Sequence, residues 1–230
     1  FSAFYLQLVR GYGPLASGAL FVPFAVAQMV FAPRSAAMVK RFGPKAVSTA
    51  GLLLVAAGLA IWLVVDASTP IWIVGAAFFV MGVGMANVMP SATESIMAAV
   101  PREKAGVGSA VSNTIRQIGG ALGVAALGAV LSSVYRDDLV GNVPAAARES
   151  ISGAYGVAGQ AGPAGAELIG HANDAFITAM HYASIGSTVF AVLGAVVALL
   201  WLPGKRPADA PAPTVAEGLA EEQGVQLVEA

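Results

Sequence analysis

Five times along this chain roughly 20 or more mostly apolar residues follow one another, the length a helix needs to cross the hydrocarbon core of a bilayer. The runs are 15–38, 46–65, 70–99, 105–134 and 174–202. A sixth stretch, 1–9 (FSAFYLQLV), is too short to span and reads as the end of a truncated transmembrane helix. Lipid offers no partner for backbone N–H and C=O groups, so each spanning run must satisfy its own as a helix. The fold class that follows is all-α, a polytopic transmembrane helix bundle. Composition agrees: 57% of the 230 residues are hydrophobic and 11% charged, whereas a soluble domain is about a quarter charged. Too little polar surface exists to coat a globule in water.

The remaining composition removes function classes. A net charge of -1 gives no broad basic face, so no nucleic-acid partner is expected. Cysteine is absent, which excludes disulfides, thiolate metal sites and cysteine nucleophiles. Phe1 opens the chain without a basic leader. The start is therefore expected to lie inside a longer protein whose amino-terminal half is missing here.

The connectors set the organisation. Residues 10–134 hold four spans joined by a basic loop at 39–45 (VKRFGPK), a polar turn at 66–69 and a charged turn at 101–104. Residues 135–173 form a long Gly, Ala and Pro-rich segment with helical composition at 145–155 and 164–175. Short interfacial helices and a flexible connector are both open there. Residues 203–230, rich in Pro, Ala and Glu, are expected to be a disordered tail. Lys40, Arg41 and Lys45 fall on the same side as Arg102 and Lys104, and as Lys205 and Arg206. By the positive-inside rule that side is cytoplasmic, the tail included, and 135–173 is extracytoplasmic. Trp62, Trp72 and Trp201 stand near span ends, as an aromatic belt would place them.

Polar groups inside spans are costly and mark sites by default. The third span carries Asn87, Pro90, Ser91, Thr93 and Glu94; the fourth carries Ser109, Ser112, Asn113, Thr114, Arg116 and Gln117. If the two form an antiparallel hairpin, Asn87 lies opposite Arg116 and Glu94 opposite Ser109. Arg116 is eleven residues inside its helix, roughly 16 Å deep and near the bilayer centre. Two readings stay open: a cavity-facing cation, or a clamp bonded to Asn87, Gln117 or a carbonyl freed by Pro90. Asn87, Asn113, Arg116, Gln117 and Glu94 are thus candidate cavity or gate residues. Glu94 could equally pair with Arg102 or Lys104 at the interface. Gly82, Gly84, Gly119, Gly120 and Gly123, with Pro90, are candidates for close helix packing or bending. Met81, Met85, Met89, Phe78 and Phe79 could wall an apolar cavity or simply pack. His171 and His181 have no second ligand at metal spacing, and no nucleophile–base pair shares a depth, so an enzyme is not expected.

Residues 4–18 (FYLQLVRGYGPLASG), 33–45 (PRSAAMVKRFGPK), 82–90 (GVGMANVMP) and above all 106–123 (GVGSAVSNTIRQIGGALG) resemble the second half of fourteen-helix drug:proton antiporters of the major facilitator superfamily. The resemblance implies an alternating-access exporter of lipophilic, often cationic, compounds. Its energy would come from a proton gradient rather than a cofactor. Antibiotic resistance, an inner-membrane location and a lipid partner go with it. It also implies that Lys40, Arg41 and Gly43 belong to the family's cytoplasmic loop motif. There the acid that usually precedes the Arg is replaced by Lys40. The main proton-carrying acids would lie in the missing half. A metabolite or sugar exporter of the same fold, and a non-transporting scaffold subunit, are the alternatives.

Overall fold

Several helices begin or end at a proline or glycine, while Pro33 and Pro90 stand inside helices. The computed structural model describes residues 1–101, 104–139 and 143–202, without the side chains of 94, 97–99, 163 and 164. The tail expected at 203–230, Arg102 and the Glu94 side chain lie outside the described residues. A helical turn α1 (Ser2–Phe4) runs into a π-helical turn (Tyr5–Val9). Then come α2 (Pro14–Ala19), α3 (Val22–Phe42), α4 (Pro44–Ile61) with a closing 3-10 turn (Trp62–Val64), and α5 (Ile71–Ala99). The chain ends with α6 (Ala105–Asp138), α7 (Ala145–Glu149), α8 (Ile151–Ala158) and α9 (Pro163–Trp201). No strand occurs among the described residues.

Pro14, Pro44 and Pro163 each sit in a first helical turn, where the lost N–H had no helical partner. Gly43 ends α3 and starts α4 at φ 85°, a backbone angle that a Cβ disfavours, while its N–H closes on the Val39 carbonyl at 2.8 Å. Lys40 and Arg41 stand exposed in the last turn of α3, where positive charge suits the carbonyl end of the helix dipole. Five helical segments are long and apolar enough to cross a membrane: 14–42, 44–64, 71–93, 105–138 and 165–201. Residues 135–173, read as a connector, carry α7, α8, the end of α6 and the first turns of α9.

Helix α5 packs on α3 and on α4, α4 packs on α9, and α9 packs on α6. The expected α5–α6 hairpin is not a packed pair. The two helices meet sparingly, with Gly108 set against Val100 beside their connection. The reason lies in α5, whose small residues are already taken by other helices. A Cβ on Gly84 would stand 2.5 Å from the Gly51 carbonyl oxygen and 2.7 Å from the Val55 nitrogen; one on Gly82 would stand 2.7 Å from the Phe24 carbonyl oxygen. Backbones that close leave no room for a further partner on those faces.

The large buried side chains collect at one end of the bundle, the cap end, where α7 and α8 lie. Tyr5, Leu6, Trp62, Val65, Phe78, Tyr135, Leu139, Ile151, Phe176 and Met180 form a single apolar cluster there. Trp62 belongs to this core, with its ring centroid 5.8 Å from Tyr5 and 5.6 Å from Phe78. It is buried, unlike a belt residue, whereas Trp72 and Trp201 are exposed. Phe78 also stacks on Phe21 at 4.4 Å, so it serves packing rather than a cavity wall.

Candidate functional site

The sequence candidates separate into two places. Asn87 is buried in the seam of α3, α4 and α5. Its Nδ2 donates back to the Val83 carbonyl at 2.8 Å, and its backbone carbonyl accepts from Ser91 Oγ at 2.8 Å and from Ser35 Oγ at 3.4 Å. Ser91 Oγ lies 2.7 Å from Ser48 Oγ on α4. Ser35, Ser48 and Ser91 are all buried. Hydroxyls bonded across three helices specify their register in an apolar medium. Asn87 Oδ1 is buried with no hydrogen-bond partner among the described residues. Pro90, one turn further along α5, has no N–H to offer the Ala86 carbonyl. The polar seam therefore sits where the helix is locally weakest.

Ser91→Ala is expected to destabilise the protein by about 1–3 kcal/mol, because Ser48 is left buried without a partner. Ser48→Ala should cost about 1 kcal/mol, since Ser91 keeps its carbonyl acceptors. Denaturant titration of the detergent-solubilised protein measures the difference. Equal effects would show that Ser48 finds another partner.

The second place is α6. Ser109, Ser112, Asn113, Arg116 and Gln117 follow at steps of three and one, which places them on one face of the helix. Gly120 and Gly123 continue that face. All but Ser112 and Gly123, which are half-buried, are exposed. Arg116 makes no hydrogen bond or ion pair among the described residues, so the clamp to Asn87 is not formed. The two residues point into different surroundings. Gly119, Gly120 and Gly123, read as close-packing positions, meet nothing within 4 Å. Across the helix, Val107, Val111, Ile115, Ile118 and Leu122 form a stripe of side chains all more than half exposed. Helix α6 thus carries one polar face with small residues and one apolar face. An apolar stripe can face lipid; an arginine eleven residues into a membrane-length helix, roughly 16 Å from its start, cannot do so cheaply. The polar face needs water or protein against it.

Sequence reasoning missed that Ser35 meets the Asn87 carbonyl and that Ser48 meets Ser91. The signal available was two serines inside apolar runs, and nothing in their spacing says that they meet. His181, which has no second ligand at metal spacing in the sequence, has its Nε2 2.8 Å from the Val65 carbonyl. In the turn after that carbonyl, the Asp66 carboxyl is held below its ordinary pKa, first by the Ser68 hydroxyl, then by the Ser68 N–H and the Thr69 hydroxyl. No group of three metal-ligating side chains occurs among the described residues.

Comparison with known proteins adds the lineage. The tetracenomycin C resistance and export protein of Streptomyces glaucescens is 37% identical over 133 residues, which cover 58% of this chain and 25% of that protein. The multidrug efflux pump LfrA of Mycolicibacterium smegmatis is 35% identical over 162 residues, 67% of this chain and 32% of its own length. The multidrug resistance protein Stp of Mycobacterium tuberculosis is 34% identical over 130 residues, 56% of this chain and 24% of its own. The chain therefore spans between 24% and 32% of the length of these relatives. The family model described as Major Facilitator Superfamily matches residues 1–124, more than half of the chain. With five membrane-length helical segments packed in an all-α bundle and that match, the chain belongs to the Major Facilitator Superfamily.

Proposed function

We propose that this chain is part of a secondary active exporter that moves lipophilic, drug-like compounds across the cell membrane in exchange for protons, by alternating access. The observation that carries the reading is the polar face of α6. Asn113, Arg116 and Gln117 lie inside a membrane-length helix without side-chain partners among the described residues, and the other face of that helix is apolar. A water-filled path between this bundle and the rest of a longer protein would solvate them, and substrate would lie there near the midplane. The relatives' names, which speak of export, efflux and resistance, support the substrate class. Their greater length supports an amino-terminal partner half. Family members are transporters rather than enzymes, which fits the lack of a catalytic set in the sequence. The basic end, with Lys40, Arg41, Lys45 and Lys104, is cytoplasmic in this reading, as is the carboxy terminus.

Cells that produce the full protein should accumulate less of a fluorescent lipophilic cation than cells without it, and the difference should collapse when a protonophore is added. Equal accumulation in both would remove the export reading. A cysteine placed at Arg41 should resist a membrane-impermeant maleimide in intact cells, while one at Gln160 should react. The opposite pattern would invert the orientation.

A further inference from the structure

The turn between α4 and α5 is held by side chains from outside it. Its Val65 carbonyl lies 2.8 Å from His181 Nε2 of α9, and its Asp66 carbonyl accepts from the Tyr5 hydroxyl at 2.6 Å. Arg10 Nη1 donates to the Ala67 carbonyl at 2.6 Å and to the Thr69 carbonyl at 2.9 Å. Within the turn, Asp66 Oδ1 accepts from the Ser68 N–H at 2.7 Å and from the Ser68 hydroxyl at 2.8 Å, so the carboxylate is used locally. Among the described residues Arg10 has two carbonyls and the Tyr5 hydroxyl as hydrogen-bonding partners and no carboxylate. A guanidinium is held less tightly by neutral acceptors than by a charged one.

Tyr5 and Arg10 have a second connection. The Arg10 N–H bonds to the Tyr5 carbonyl at 3.0 Å, which closes the π-helical turn. The same two residues therefore close that turn with their backbones and grip the 65–69 turn with their side chains. A π-turn carries one residue more than an α-helical turn and is the rarer, weaker winding. Rewinding to α-helical pitch would rotate Arg10 about the axis relative to Tyr5 by about one residue step, ~100°. The two side chains could not then reach one turn together. The π-helical turn is held from α8 as well: the Tyr155 hydroxyl is 2.6 Å from the Leu8 carbonyl and 3.1 Å from Asn173 Oδ1 of α9.

We propose that Tyr5 and Arg10 make the π-helical turn and the 65–69 turn into one two-position clasp. Wound as in this structure, it seats the amino-terminal helix end on the cap end of the bundle. Rewound, it releases that end, with Tyr5 and Leu6, while the far half of the bundle stays in place. The proposal concerns a hydrogen-bonded unit at the cap end and stands whether or not the chain exports drugs.

The test uses the full protein in detergent, which removes any dependence on membrane orientation. The chain has no cysteine, so a single reporter can be introduced, with any cysteines elsewhere in the full protein replaced. Val65→Cys and Ala195→Cys place reporters at two buried positions, at 0% and 2% exposure. The first is in the gripped turn and the second in α9 outside the cap-end cluster. Arg10→Ala is expected to raise the maleimide reaction rate at position 65 at least tenfold and to leave position 195 unchanged. Tyr5→Phe should act in the same way, and the double variant should be no faster than the stronger single one. An unchanged rate at position 65 in either variant overturns the clasp. So does an equal rise at both positions, which would mean general loosening or failure to fold, and so do multiplying effects, which would mean two independent contacts.

Discussion

Gly84→Val is expected to stop this bundle from assembling, with a loss of at least about 3 kcal/mol. The new side chain would begin 2.5 Å from the Gly51 carbonyl oxygen, 2.7 Å from the Val55 nitrogen and 2.8 Å from Val55 Cγ2. Two of the three obstacles are backbone atoms, which cannot swing aside as the end of a long side chain can. Relief would require α4 and α5 to move apart. That would also pull Ser48 from Ser91, whose oxygens are 2.7 Å apart. The matching control is Gly120→Val on α6, which meets nothing within 4 Å. It should leave the thermal unfolding midpoint in detergent nearly unchanged, within the ~0.5 kcal/mol usual for open sites. If Gly84→Val folds with wild-type stability, the α4–α5 contact is not the joint described here. If Gly120→Val folds but lowers export, its face meets another part of the full protein.

Arg116→Ala is expected to lower export of a lipophilic cation at least tenfold with the fold intact. The side chain is exposed in this chain and pairs with no described group, so its removal breaks no internal bond. What it removes is the only cation in the middle of an otherwise uncharged helix, 105–135. Along a water-filled path with low-dielectric walls, one such charge strongly shapes where other charges can rest. Glu94→Gln, nearer the basic end, should be milder. Transport assays in energised vesicles measure the loss, and size-exclusion behaviour in detergent checks the fold. Wild-type export by Arg116→Ala would remove the site assignment. Loss of the folded protein would instead mean that Arg116 has a structural partner elsewhere in the full transporter.

How far the sequence could be read depended on the solvent. Apolar run length fixes which segments become spanning helices, because lipid leaves them no other way to satisfy their backbones. Length alone does not say which helices touch. The α5–α6 hairpin looked natural from a four-residue turn and two matching bands of polar residues. The structure instead gives the faces of α5 to α3 and α4, since Gly82 and Gly84 let those backbones come closer than α6 could. The glycines of 119–123 read the same as Gly82 and Gly84 on paper. Only the neighbours distinguish them. Arg116 was conspicuous because an ionisable group inside an apolar run is rare. Ser35 and Ser48 were not, because a serine can satisfy itself on its own helix and carries little positional signal. Trp62 was placed at the membrane surface by its position near a span end. Its burial against Tyr5 and Phe78 depends on residues nearly sixty positions earlier and sixteen later.

The uneven placement of bulk has a consequence for biosynthesis. The cluster at the cap end joins Tyr5 and Leu6 to Phe176 and Met180, so it cannot close until the ribosome has made almost the whole of this stretch. Helices α3, α4 and α5 can pair as they emerge, because their joints are glycine contacts and serine bonds between neighbours in sequence. The apolar plug waits for α9. A nascent chain halted before the last helix should therefore expose tyrosine, tryptophan and phenylalanine rings at its unfinished end. Quality-control factors that recognise such surfaces would find their target there.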